Sequence, residues 1–493
     1  MLLGIVPLLM MVIDSLWIDG LWSVKAYRGL LDSGVLASFG RSVWLGFWVA
    51  FASTVIGGGL GFLFAKSDIF AGKYLAILFS LPLLIPPYIF AFSWFSLLGH
   101  DALLFGFWGC FWVLFSLYLP IPLLLTMLFI RQINPALEEA ARVVTSWRGS
   151  VFHITLPLLS PALFFSFMLV FVLVFGAYGV PNFLRYDVFS TLSFRQFSAF
   201  YDFKAATAFA MPLLLVVFVF LFLEYILVEK KAFSLQESYQ VETLSLGGKR
   251  GWIWMMVLGL WVLIMIVPLG SLLWQEGSVD TLIEAWNKGW IPLLHSLFFA
   301  LVGASVMSLF GLLLAYVLVY QSLAWWRWLD MGILMVFVLP STVFGISLIL
   351  LWNHPWSNFI YASPVIVVLG LVGKYLALPL KIIQIKLQKI PSSFLESAAL
   401  LGANWRQRGI FILLPLLKET VVIAWLVAFI FALREDTLSM LLYPAGWETL
   451  PIYTATQMAN GNPHIIAGLA LIMIGVMVAS LGVLLWFFRR RLS

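Results

Sequence analysis

The stretch PALEEAARVVTSWRGSVFHITLPLLSPAL, Pro135 to Leu163, decides how this chain is read, because a second version of it returns at Pro391–Val421 as PSSFLESAALLGANWRQRGIFILLPLLKETV. Each copy is a polar island between long apolar stretches. Each opens on Pro and a Glu beside small residues, carries a Trp and two Arg, and closes on Leu-Pro. A single chain that keeps one such loop twice is expected to present both loops to a two-fold partner.

Outward from these loops the chain is overwhelmingly apolar. Apolar residues make up 63% and charged residues 10%, with a mean hydropathy of +1.05, where a soluble domain carries about 25% charged residues. Runs of about 20 apolar residues, enough to cross a bilayer core as helix, recur throughout. The fold class is therefore all-α and polytopic in a membrane. A membrane β-barrel would alternate in segments of about 10 residues, and Pro212–Leu227 does not alternate. The net charge of +6 comes from basic residues dispersed near membrane ends. They mark topology and not a nucleic-acid surface. Cys110 is the one cysteine, which leaves no disulfide framework and no cysteine metal site.

Twelve spans are expected, near 2–18, 38–64, 73–98, 103–129, 158–180, 205–228, 252–274, 293–320, 329–352, 363–384, 415–434 and 465–488. The first lacks a basic leader and an A-x-A site, so it reads as a membrane anchor and not as a cleaved signal peptide. Lys66, Lys73, Lys230, Lys231, Lys249, Arg250 and Arg489–Arg491 fall on the side of the two repeated loops. Positive charge gathers on the cytoplasmic side, which places both loops and both termini there. The polar stretch 229–251 reads as a cytoplasmic linker between a first half, 1–228, and a second, 252–493. Six spans per half make the halves parallel repeats. LIPPYIFAF (Leu84–Phe92) echoes VLPSTVFGI (Val338–Ile346), and both put Pro inside a span.

The loops, about 131–157 and 385–415, carry helix signals. Asn134 and Pro135 supply an N-cap and a first-turn Pro, and Ser393 with Glu396 fits a capping box. Ala140, Ala141, Ala398 and Ala399 give each short helix a smooth face. Gly402 suits a left-handed C-cap, and Pro157 and Pro415 are expected to begin the next span. Arg142, Arg148, Arg406 and Arg408 offer donors for partner carboxylates.

These loops resemble the cytoplasmic coupling motif E-A-A-x-x-x-G-x(9)-I-x-L-P of permease subunits of bacterial binding-protein-dependent ABC importers. The second copy keeps the spacing from Glu396 to Pro415, with Gly402 at the glycine and Ser397 in place of one Ala. The first has Glu139-Ala140-Ala141 and Ile154-Thr155-Leu156-Pro157, but Thr145 replaces the Gly and the loop is one residue shorter. The resemblance implies a transport subunit, not an enzyme, of a bacterial inner membrane. It implies two copies of an ABC ATPase docked at Glu138, Glu139, Ala140, Ala141 and Thr145 through Pro157, and at Glu396, Ala398, Ala399 and Gly402 through Pro415. A periplasmic binding protein would deliver the solute. No G-x-x-x-x-G-K-[ST] occurs in the chain, so ATP would bind the partner and the permease itself would hold no cofactor. Two halves fused in one chain resemble the ferric-iron and thiamine permeases. FGAYGVPNFL (Phe175–Leu184) and MLLYPAGWETLPIYTATQMANG (Met440–Gly461) look more like the iron branch, with thiamine or another small solute as the alternative.

Lys374 is a charge inside a span, which marks a pathway or gating residue or else a side chain held by a backbone carbonyl. Glu435 and Asp436, at the outer end of the eleventh span, are further gating candidates. His100, Asp101, His354 and His464 lie in outer loops without metal-ligand spacing, and no metal site is expected. The rival class, an ion-coupled twelve-span secondary transporter, needs polar coupling residues at mid-depth. Lys374 alone offers one, and that class leaves the paired loops unexplained.

Overall fold

A computed structural model describes residues 4–18, 20–99, 103–198, 202–227, 243–320 and 325–489. The linker residues before 243, together with His100 and Asp101, lie outside the described residues. The chain is helical almost throughout. Among the described residues the one sheet is a ribbon of Trp17–Ile18 with Leu21–Trp22.

Eight helices are long and apolar enough to span a membrane, and three bent pairs bring the number to eleven. Ile5–Leu16, where the first span was expected, has only 12 residues. At 1.5 Å per residue it reaches about 18 Å, short of a hydrocarbon core of about 30 Å. Other helices overrun their expected bounds. Val279–Tyr320 begins well before the expected residue 293, because Val279–Ile291 continues the helix with an i,i+4 pair between Glu284 and Lys288 at 2.8 Å.

Two compact units form, and neither follows chain order to its end. One comprises Trp22–Gly277 and the other Met1–Leu21 with Ser278–Ser493. In the first unit the Val267–Glu276 segment packs on Pro87–Leu98. The Trp261 indole donates to the Leu78 carbonyl at 2.9 Å, and the Ser271 hydroxyl to that of Ser93 at 2.6 Å. In the second unit Ile5–Leu16 packs on Ser341–Trp352. Each unit thus takes one helix from the far side of the linker in sequence.

The two Pro-containing echoes are breaks. Gly72–Leu84 and Pro87–Leu98 meet at 95°, and Trp328–Val338 and Ser341–Trp352 at 112°. Pro86 (φ −55°, ψ 134°) and Pro340 (φ −54°, ψ 136°) hold nearly the same extended conformation. Pro has no N–H to continue the helix and forces its predecessor out of the helical region. Glycines set the packing inside each unit. A Cβ on Gly57 would stand 2.5 Å from the Leu119 oxygen and one on Gly61 2.4 Å from that of Leu123, so the Ser33–Lys66 and Pro120–Ile130 helices touch backbone to backbone. Gly311 faces Pro379 and Leu380 in the same way in the other unit.

Candidate functional site

The first repeated loop folds as a helix, Pro135–Val144, then a turn and Trp147–Ser150. Asn134 caps it as expected, accepting from the Ala136 N–H at 3.0 Å. The second folds as Ser393–Leu400 and Trp405–Arg408. Here the expected capping box does not form: the cap is Ser392, without a side-chain bond. The reciprocal box lies eleven residues on, where the Asn404 and Gln407 side chains each accept the other's N–H, at 2.9 and 2.8 Å. Ser393 and Glu396 also have the box spacing, but the chain enters the helix one residue earlier.

The helix ends differ between the loops. Gly402 has φ +84°, its N–H reaches the Ala399 carbonyl at 2.9 Å, and the Ala403 N–H reaches that of Ala398 at 3.0 Å. This is a left-handed cap that satisfies two orphan carbonyls. Thr145 carries a Cβ and cannot adopt it cheaply. It leaves the first helix extended, at φ −144°, after two more helical residues than the second loop has.

Both loops run into the next span without interruption, as Trp147–Phe175 and Arg406–Arg434. Pro157 and Pro415 therefore do not begin the spans, as had been expected from the sequence. A π turn precedes each, at Val151–Thr155 and Gly409–Leu413. A third, Val262–Ile266, stands likewise two residues before Pro268. The ring of Pro would collide with the carbonyl four residues back, and a wider turn re-routes that carbonyl.

The predicted coupling residues separate into two faces. Glu139, Ala140, Glu396, Ala399 and Gly402 are exposed, and Ala141 and Ala398 half-buried. Beside them, at matched positions, stand two apolar doublets that the sequence reading overlooked. Val143 and Val144 are 89% and 88% exposed, and Leu400 and Leu401 89% and 90%. Two consecutive apolar residues on a short polar helix were the available signal. Apolar side chains this exposed mark a surface awaiting a partner. Arg148 and Arg406 are exposed near them, Arg148 with its guanidinium 5.8 Å from the Trp147 ring centre.

Glu138 behaves differently from its neighbour. It is 3% exposed, forms an ion pair with Lys66, and accepts from the Thr155 hydroxyl at 2.5 Å. Its backbone carbonyl accepts from the Ser150 hydroxyl at 3.3 Å. A side chain so enclosed is turned away from any docked partner.

Away from the loops, Lys374 is buried and its ammonium donates to the Leu339 carbonyl, at the break of the Trp328–Trp352 span. The adjacent Tyr375 hydroxyl donates to Glu435, whose other oxygen accepts from the Leu438 N–H at 2.8 Å. Asp436 accepts from the N–H of Thr437 at 2.5 Å and from its hydroxyl at 2.9 Å. Desolvation, with the adjacent Glu435 carboxylate, pushes Asp436 up to about 6. Among the described residues no cluster of three His, Cys, Asp or Glu side chains comes together.

Residues 57–232, which include the first loop, match the family described as the inner membrane component of binding-protein-dependent transport systems. Over that stretch the chain is similar to the permease components of such systems. Over 472 residues it is 25% identical to the putative ferric transport system permease protein FbpB 1 of Haemophilus influenzae, covering 87% of this chain and 74% of that protein. It is 23% identical to the ferric transport system permease protein FbpB of Actinobacillus pleuropneumoniae, covering 92% and 72%. A shorter match, 27% identical over 198 residues and 37% of this chain, is to the probable sulfate transport system permease protein cysT of Nephroselmis olivacea. The chain is a multi-pass membrane protein, and these likenesses make it a transport subunit, not an enzyme. A system of this family implies an ATPase and a periplasmic binding protein as its partners.

Proposed function

We propose that this permease forms the inner-membrane pathway for ferric iron, and that two copies of one ATPase drive it, one on Pro135–Val144 and one on Ser393–Leu400. The observation that carries the reading is the matched pair of surfaces, each an exposed Glu (139 or 396) next to an exposed apolar doublet (143–144 or 400–401). An apolar pair flanked by charge suits a cleft that buries the doublet and pairs the carboxylate at its rim. The two sequence halves, 1–228 and 252–493, supply one such surface each. Both surfaces, the linker and the C-terminal end, six spans beyond that linker, face the cytoplasm by the positive-inside rule. Iron is favoured because the relatives named as ferric transport permeases match over most of this chain.

Lys374, Glu435 and Asp436 belong to this reading as gating residues: Lys374 and Glu435 bond to the broken helices at Leu339 and Tyr375, and Asp436 caps the short helix Thr437–Leu442. Backbone interrupted at membrane depth is tolerated only where protein or a water-filled cavity receives it. The test is purification with the neighbouring ATPase and native mass spectrometry, followed by uptake of ferric iron into proteoliposomes. Two ATPase copies per permease and uptake dependent on ATP and the binding protein are expected. One copy, or uptake of another solute with no response to iron, overturns the reading.

A further inference from the structure

Glu138 sits at a junction of three elements. Lys66 is the last residue of the Ser33–Lys66 helix, Glu138 lies in the first turn of the first coupling helix, and Thr155 ends the π turn within the Trp147–Phe175 span. Lys66 and Thr155 are 2% and 0% exposed, so one enclosed carboxylate ties the coupling helix to two membrane helices at once.

The other half of the chain provides an internal comparison. Counting back from the motif, Glu138 corresponds to Leu395, both one residue before the exposed Glu. Thr155 corresponds to Leu413, both two residues before the Pro. Lys66 corresponds to Tyr320, since Gly57 and Gly311 make equivalent contacts with Pro122–Leu123 and Pro379–Leu380. Leu395 and Leu413 are both buried in one apolar cluster with Leu380, Ile383, Leu387 and Leu417, and Tyr320 packs against it. The same joint is thus polar in one half and apolar in the other. A buried ion pair gains little stability over apolar packing of similar volume, and losing one partner leaves a buried charge unpaired. What the two versions share is geometry.

We infer that Lys66, Glu138 and Thr155 form the joint that transmits movement of the first coupling helix to the membrane bundle, as Tyr320, Leu395 and Leu413 do for the second. Glu138 is a positioning residue there and makes no contact with the ATPase. The inference rests on the coupling role proposed above, but its geometric half can be tested without an ATPase.

The experiment pairs two measurements on the full chain. Spin labels at Ala136→Cys and Val55→Cys, both exposed and outside the docking doublet, report the distance between the coupling helix and the Ser33–Lys66 helix. Iron transported per ATP hydrolysed in the reconstituted complex reports coupling. Glu138→Gln keeps the shape and removes the charge; Glu138→Leu leaves Lys66 unpaired. Both are expected to broaden the distance distribution, most in Glu138→Leu. Both should lower transport per ATP, with the larger loss in Glu138→Leu. ATPase binding is expected to remain. The triple variant Lys66→Tyr/Glu138→Leu/Thr155→Leu transplants the apolar joint and is expected to restore a narrow distribution and coupled transport. Wild-type distances and coupling in both Glu138 variants overturn the inference. So does a triple variant with a narrow distribution that stays as uncoupled as Glu138→Leu. Loss of ATPase binding in Glu138→Gln with unchanged distances makes Glu138 a docking residue and also overturns it. If the wild-type chain binds no ATPase, the proposed function fails, and the distances alone still decide the joint.

Discussion

Neighbouring residues with the same chemistry take opposite roles here, and only packing separates them. Glu138 and Glu139 differ by one step of about 100° around a helix, which turns one into the protein and the other to solvent. The sequence offers no sign of this until Lys66, 72 positions earlier by number, is known to meet Glu138. Lys374 was legible as a costly intramembrane charge, and a backbone carbonyl as one way to hold it, but not which carbonyl, because that of Leu339 becomes available only once the helix breaks there. A lysine without a task would give a more stable protein when replaced by Leu. With the carbonyl capped, Lys374→Leu is instead expected to destabilise by about 1–3 kcal/mol, the cost of an unsatisfied buried acceptor. Thermal unfolding in detergent checks it, and a raised melting temperature would sink the capping role. Gly402 was legible for a local reason, since a left-handed helix end needs no distant partner. Gly402→Val is expected to cost about 1–2 kcal/mol of local strain and to weaken ATPase binding, while insertion is unchanged. Pull-down with the ATPase measures this, and equal recovery of wild type and variant would refute it.

At the scale of the element, apolar run length locates helices well and their ends poorly. Polar amphipathic segments such as Val279–Ile291 extend a helix past its apolar core, and Pro157 and Pro415 look like starts although each helix passes through them. A helix carrying an internal Pro survives when the preceding turn widens. Removing the Pro removes the reason for the wide turn. Pro415→Ala is expected to let Gly409–Leu413 relax to ordinary α geometry and so draw out the one extra residue the π turn holds. That change rotates everything before it, including the Trp405–Arg408 turn, by about 100° relative to the span. Helix propensity improves by about 3 kcal/mol when Pro becomes Ala in a helix interior, so the variant should be at least as stable as wild type yet transport poorly. Stability and iron uptake measured on the same preparation check this. A stable variant with normal uptake would mean that the π turn only accommodates the ring.

Across the whole molecule, the duplicated loops and the paired Pro breaks were readable, because duplication leaves matched local signals, whereas the span expected at the start of the first half is the 12-residue helix Ile5–Leu16. The composition of the compact units was not readable, since it depends on which distant surface each end helix packs against. Ile5–Leu16 joins the residues after Ser278, and Arg250–Glu276 joins those before it. Neither half of the sequence therefore contains all the helices of one unit. This predicts how the chain behaves when it is divided. Cutting between Ser238 and Tyr239 gives fragments 1–238 and 239–493, each with a helix whose packing surface lies on the other fragment. Expressed alone, 1–238 lacks the helix that covers Pro87–Leu98 and offers the Leu78 and Ser93 carbonyls no donor from Trp261 or Ser271. Fragment 239–493 lacks the helix that covers Ser341–Trp352. Each is expected to aggregate or be degraded, whereas co-expression should return a complex that elutes like the intact chain and is retained by a tag on either fragment. Two fragments that are each stable and monodisperse alone would show that the end helices are dispensable to the units they join.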